Sequence, residues 1–158
     1  MSEKLDLFDR RILAVLQRDG SIGPAEMSEI VHLSPSQCSR RMQRLRQDGL
    51  IRKTVALVDR ESINLGIVAL VLVRLVAHSS HNEQAFRDWI ERTPEVLSCH
   101  YVAGDLDFIL HVATKDLASY ENFITNALVK AANVASCRSN IILKTLKETT
   151  ELPLSFIA

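Results

Sequence analysis

The stretch Ser34 to Gly49, Ser-Pro-Ser-Gln-Cys-Ser-Arg-Arg-Met-Gln-Arg-Leu-Arg-Gln-Asp-Gly, constrains the chain most, because it reads as one helix with two unlike faces. Ser34 can cap the helix through its hydroxyl, Pro35 suits the first helical position, and Gln37 stands where a capping box takes Glu or Gln. Gly49 supplies the left-handed residue on which helices commonly stop. Cys38, Met42 and Leu45 recur at i, i+4 and i+7 and form one narrow apolar stripe that must pack on something. Ser36, Arg40, Gln43, Arg44 and Gln47 point the other way, with Gln37, Ser39, Arg41 and Arg46 on the flanks. A solvated charged face would normally mix in acids for i, i+4 pairing, and this face has none before Asp48. Arg and Gln suit bidentate contacts with guanine and adenine edges, while Ser and further Arg suit phosphates. Ser34, Ser36, Gln37, Ser39, Arg40, Arg41, Gln43, Arg44, Arg46 and Gln47 are therefore candidate DNA contacts.

Two helices precede it. Asp6 can cap a helix with a stripe of Phe8, Ile12, Val15 and Leu16 that ends at Asp19-Gly20. Gly23-Pro24-Ala25-Glu26 opens a shorter one, with Met27, Ile30 and Val31 on its buried side. His32-Leu33-Ser34 then turns the chain into the arginine helix, so the pair reads as a helix-turn-helix buttressed by the first helix, with a generic three-helix bundle as the alternative.

Leu5-Asp6-Leu7-Phe8-Asp9-Arg10-Arg11-Ile12-Leu13, Leu33 to Arg41 and Arg44-Leu45 closely resemble the amino-terminal domain of the leucine-responsive regulatory protein and AsnC family of transcriptional regulators. The resemblance extends over nearly the whole chain. It implies a winged-type helix-turn-helix domain followed by a ferredoxin-like (RAM-type) domain that senses a small effector, commonly an amino acid, and assembles as dimers that often join into tetramers or octamers.

Length and composition agree with such a protein. The 158 residues, 47% hydrophobic and 24% charged, suit one average domain or two small ones. The longest apolar run, 65–73, is too short to span a bilayer, and the amino terminus lacks the apolar core of a signal peptide, so a cytoplasmic protein is expected. Cys38, Cys99 and Cys137 are odd in number and widely spaced, which suggests reduced thiols. Zero net charge conceals an asymmetry: residues 1–60 hold 11 Lys and Arg against 8 Asp and Glu, and residues 61–158 hold the reverse excess. A basic excess on one element is enough for a DNA footprint.

The expected α+β layout is a DNA-binding domain over 1–58, closing with a strand within 50–58, then a linker over 59–66 and a ferredoxin-like domain over 67–158. In that domain the pattern is strand (67–77), helix (82–92), strand (95–103), strand (106–114), helix (116–131) and strand (134–147), the βαββαβ order. Ala85, Phe86, Trp89 and Ile90 on one helix, and Leu117, Tyr120, Ile124, Ala127 and Leu128 on the other, should cover one sheet face. Ile67 to Val73 is apolar on both sides, which predicts self-association through the second face or cover by the protein's own linker or amino-terminal strand.

Gly104-Asp105-Leu106-Asp107 reads by itself as a hairpin turn, although two carboxylates beside a bare backbone could also receive an ammonium group. The family resemblance implies an effector site near this loop, at an interface between dimers. It makes Tyr101, Val102, Ala103, Gly104, Asp105 and Asp107 the candidates, with Asp107 the expected ammonium partner. Two positions depart from the family pattern: Ala103 stands where Thr or Ser is frequent, and Ala131-Ala132-Asn133 replaces a Leu-Pro-Gly.

His32, His78, His81, His100 and His111 show no metal-ligand spacing, so no metal or other cofactor is expected besides the effector. Catalytic elbows, phosphate loops and dinucleotide fingerprints are missing too. The expected function is a sequence-specific, non-enzymatic regulator binding double-stranded DNA at a roughly palindromic site, with no membrane partner. The alternatives are a small ferredoxin-like enzyme and a ligand-binding interaction module without DNA binding.

Overall fold

The computed structural model describes residues 5–76, 80–130 and 134–156. His78, the Ala131-Ala132-Asn133 segment and the ends of the strand and helix expected to run into them lie outside the described residues. The chain divides into two compact units: one holds residues up to Leu57 and the tail from Lys147, the other Val58–Leu146. The tail was expected in the sheet domain, and it packs instead with the helices.

In the helical unit, α1 spans Leu7–Arg18, α2 Pro24–Val31 and α3 Pro35–Gln47. Asp6 and Asp9 form a reciprocal capping box at the start of α1, and Ser34 and Gln37 form another at the start of α3. His32 ends α2 in the left-handed conformation (φ 58°), and Gly49 follows α3 with φ 75°. Ile12, Leu13, Met27, Val31, Cys38, Met42 and Leu45 form the core. Ile30, expected on the buried side of α2, is exposed, because two residues of so short a helix, Met27 and Val31, already fill the contact.

The tail is held on α1 by polar contacts. The Gln17 side chain donates to the Leu152 carbonyl (3.2 Å) and accepts from the Leu152 N–H (2.6 Å), Arg18 pairs with Glu151, and Leu154 packs against the helical core.

Residues 50–58, expected to close the domain as a strand, do not form one. The segment has no regular secondary structure, with Val55, Leu57 and Val58 exposed, and lies outside the four-stranded sheet. A strand is defined by its ladder partner, and the described part of a single chain offers this segment none.

In the second unit, β1 (Ile67–Leu75), α4 (Ser80–Glu91), β2 (Val96–Tyr101), β3 (Phe108–Thr114), α5 (Leu117–Asn122) and β4 (Val134–Ile141) follow the expected βαββαβ order. The antiparallel sheet runs β2-β3-β1-β4. Helix α5 continues into a π-helical turn, Phe123–Leu128, in which the Val129 N–H donates to the Ile124 carbonyl (3.0 Å). The extra residue per turn buries Phe123 and Leu128 together, whereas Leu117, expected on the covered side, is 60% exposed.

Ala69, Val71, Val73 and Leu75 of β1 pack with Phe108, Leu110 and Val112 of β3 beneath Phe86 of α4 and Tyr120, Phe123 and Leu128. The alternate residues Val68, Leu70 and Leu72 lie on the other face, beside Ala113, His111 and Ile109 of β3. There Val68 and Ala113 are buried, Leu72 and Ile109 half-buried and Leu70 exposed.

Leu110 is fully buried at the centre of this core. Leu110→Ala should lower the unfolding free energy by about 2–5 kcal/mol, read from urea denaturation.

Candidate nucleic-acid interface and effector loop

Cys38, Met42 and Leu45 are buried as the stripe requires, at 0%, 3% and 0% exposure, so the opposite face of α3 is turned outward. Ser36, Ser39, Arg40, Gln43, Arg46 and Gln47 are exposed there. Ser34 and Gln37 are exposed as well, but Ser34 Oγ and Gln37 Oε1 are engaged in the cap: the Gln37 N–H donates to Ser34 Oγ (3.3 Å), and Gln37 Oε1 accepts from the Ser34 N–H (3.1 Å).

Arg44, expected on the open face, and Arg41, expected on its flank, both turn back to α1. Asp9 is 1% exposed and receives both: Arg41 Nη1 donates to Asp9 Oδ1 (2.7 Å) and Arg44 Nη2 to Asp9 Oδ2 (2.5 Å). Arg41 also reaches Asp6 Oδ2 (2.7 Å) and lies over the Phe8 ring, 5.6 Å from its centroid. The Asp6 N–H donates to Asp9 Oδ2 as well (3.2 Å). The buried carboxylate is thereby satisfied by three donors, the condition for burying a charge without a large penalty.

Burial works to raise the pKa of Asp6, but the Asp9 N–H and then the Arg41 guanidinium outweigh it and hold the carboxyl below its ordinary value. Burial likewise works to lower Arg41, and its bonds to Asp9 and Asp6 leave it above the usual arginine value.

Sequence reasoning sought acids for these arginines only within α3. The missed signal is on α1: Asp9 precedes Ile12 and Leu13 by three and four residues and so lies on their buried stripe. A carboxylate on an apolar stripe calls for a cation from the facing helix.

In the second unit, residues 102–107 join β2 to β3, with Gly104 at φ 136°, a conformation that L side chains rarely adopt. Tyr101, Ala103, Gly104 and Asp105 are exposed and Val102 is half-buried, its N–H donating to the Asp107 carbonyl (3.0 Å). Asp107 departs from expectation. It is 5% exposed, its Oδ2 accepts the Leu75 N–H (2.7 Å), and its own N–H donates to the Val73 carbonyl (3.0 Å). The carboxylate expected to meet an ammonium group instead ties the hairpin to the end of β1, where the pairing with β4 shifts register between Arg74 and Leu75. Asp105 is the carboxylate left facing solvent. Among the described residues no cluster of three His, Cys, Asp or Glu side chains could hold a metal, and no helix is long and apolar enough to cross a membrane.

A three-helix head with an exposed Arg/Gln face, in one chain with a ferredoxin-like βαββαβ unit, defines a class of two-unit helix-turn-helix proteins. The Lrp/AsnC ligand binding domain matches residues 68–152, and a winged helix-turn-helix DNA-binding domain matches residues 5–52. The chain belongs to the Lrp/AsnC family. It is 33% identical to the DNA-binding transcriptional activator DecR of Escherichia coli K12, over 95% of this chain and 99% of that one. It superposes on the transcriptional regulator NMB0573/L-Met complex from Neisseria meningitidis with a TM-score of 0.94 at 35% identity, covering 98% of this chain and 100% of that one. An AsnC family transcriptional regulator from Agrobacterium tumefaciens gives a TM-score of 0.91 at 33% identity, with coverage of 98% and 100%.

Asp9→Asn should lower the unfolding free energy by about 2–3 kcal/mol, because Arg41 and Arg44 lose their shared counter-charge, as urea denaturation can show. The depressed Asp6 pKa has its own signature. Its stabilisation is fully present above the unfolded value near 3.8 and is lost as pH falls through the lower folded value. The gap in thermal midpoint between the parent and Asp6→Asn should therefore be open at pH 7 and close as pH falls below about 4.

Proposed function

We propose that the chain is a sequence-specific DNA-binding transcriptional regulator that responds to a small effector, an amino acid, and acts as a non-catalytic homo-oligomer in the cytoplasm. The observation that carries this reading is the outward set Arg40, Gln43, Arg46 and Gln47 on a helix whose opposite stripe is fully buried. With Ser36 and Ser39 these residues meet the duplex, Arg40 and the glutamines at base edges and the remainder at phosphates. Ser34 and Gln37 fix the start of the helix, and Arg41 and Arg44 hold its orientation through Asp9.

Two copies related by a two-fold axis present two such helices to successive major grooves about 34 Å apart, which calls for a roughly palindromic site. The sheet face bearing Leu70, Leu72 and Ile109 is the proposed surface for self-association, with dimers joining into tetramers or octamers. The relatives support regulation as the activity, and the L-Met complex of the Neisseria protein supports an amino acid as the effector. Tyr101, Val102, Ala103, Gly104 and Asp105 form the proposed effector loop, with Asp105 rather than Asp107 free to meet an ammonium group. The effector acts by preferring one oligomeric arrangement over another.

Mobility shift on the DNA upstream of the chain's own gene tests the reading. Arg40→Ala should weaken binding by about 1–3 kcal/mol and relax specificity if Arg40 reads a base edge, whereas Arg46→Ala should weaken it across sequences and reduce the salt slope by about one. Unchanged affinity and salt slope in both variants would overturn the assignment of the reading face.

A further inference from the structure

The helical unit is not one stretch of chain. Residues up to Leu57 supply its helices and the tail from Lys147 returns to it, so the chain passes between the two units twice, once at 57–58 and once at 146–147. A unit joined to its neighbour by a single flexible segment turns freely about it, and a second point of attachment removes part of that freedom.

Gln17 makes most of the second attachment. Pro153 biases the residue before it to extended backbone, in which the N–H and C=O of Leu152 point to the same side. The Gln17 amide answers both, accepting from the Leu152 N–H (2.6 Å) and donating to the Leu152 carbonyl (3.2 Å), as a neighbouring strand would. Gln17 lies in the last turn of α1, where carbonyls lack partners within the helix, and the Thr150 hydroxyl donates to its carbonyl (3.5 Å). With Arg18 on Glu151 and Leu154 against the helical core, the tail meets the end of α1 in one register.

The hold is light. The Arg18–Glu151 pair is exposed on both sides, where an ion pair contributes little. Leu152 is 73% exposed and adds little apolar burial. A cavity of about 430 Å³, walled by Ala14, Gln17 and Arg18 on α1 and by Lys147, Thr149 and Pro153 on the tail, stands where close packing would otherwise be. Exposed hydrogen bonds exchange with water at small net gain, and ordering the tail costs backbone entropy. Such a contact persists because the tail is tethered and so present at high effective concentration. Between Ile142, whose N–H donates to the Val68 carbonyl (2.8 Å), and Thr150 only residues 143–149 intervene.

We propose that the tail docked on Gln17 is a second tether that limits the freedom of the helical unit and thereby sets which half-site spacing the protein accepts, with Gln17 a positioning residue outside the DNA face. The inference rests on the DNA-binding reading above. A two-fold pair of heads held at one point each reaches many spacings, and a pair held at two points each reaches few.

Mobility shift with the full chain tests it, on a palindrome selected by the parent from a random-sequence DNA library. Two base pairs inserted at its centre move one half-site by about 7 Å and turn it by about 70° around the duplex. The insertion should weaken the parent at least about tenfold and the variant Gln17→Ala/Arg18→Ala at most about threefold, while both bind the uninterrupted site within about twofold of each other. Leu154→Ala, a change on the tail alone, should widen the accepted spacing in the same way. Amide hydrogen exchange reads the dock itself: the Leu152 N–H should be at least about tenfold better protected in the parent than in Gln17→Ala.

Equal spacing selectivity in the parent and every variant, with Leu152 protection lost in Gln17→Ala, would overturn the tether and leave DNA binding standing. Weaker binding of the uninterrupted site with an unchanged spacing range would overturn it too, since a merely structural role gives that result. An unprotected Leu152 N–H in the parent would overturn the dock. Absence of DNA binding by the parent, with Leu152 protected, would overturn the DNA-binding reading and the spacing inference together.

Discussion

The Asp9 carboxylate, withdrawn from water on α1, meets two guanidinium groups of α3, and the orientation of the outward face depends on that meeting. Three arginines, Arg40, Arg41 and Arg44, lie within five residues of one another, yet they divide the work. Arg41 and Arg44 reach back to α1, so the helix is fastened on one flank by charge and along its spine by Cys38, Met42 and Leu45. Arg40, Gln43, Arg46 and Gln47 stay exposed on a fixed helix, the arrangement the proposed DNA contact needs. A floating helix would have to be ordered on binding, at a cost in conformational entropy.

A similar division holds in the second unit. Two aspartates stand two residues apart in one hairpin, and the fold consumes one: Asp107 accepts a backbone N–H that the end of β1 would otherwise leave unpaired. Asp105 stays outside. In both units the acidic side chain nearest the expected function stabilises its scaffold, and its exposed neighbours keep their polar groups open to solvent.

Much of this was legible in the chain itself. Helix caps, helix stops and 3.6-residue stripes located α1, α2 and α3, and short apolar runs, the first of them apolar on both sides, placed all four strands in the right order. What could not be read depended on contacts between distant residues. The Asp9 partners lie 32 and 35 residues away, and the Asp107 partner 32 residues away, separations at which periodicity carries no information. The residues after the last expected strand were counted with the ferredoxin-like domain, and their docking on α1 through Gln17 is a tertiary choice. The segment 50–58 has the composition of a strand and lacks a ladder within the described residues of one chain. The π-helical turn after α5 shifts the phase of that helix, which no fixed 3.6-residue template anticipates.

A double-mutant cycle on unfolding, combining Asp9→Ala with Arg41→Ala and separately with Arg44→Ala, tests most directly whether these arginines act through Asp9. A coupling energy of at least about 1 kcal/mol is expected in each cycle, because each pair shares a carboxylate removed from water. Strict additivity in both cycles would contradict the division of the arginines, and would return Arg41 and Arg44 to the set of groups facing DNA.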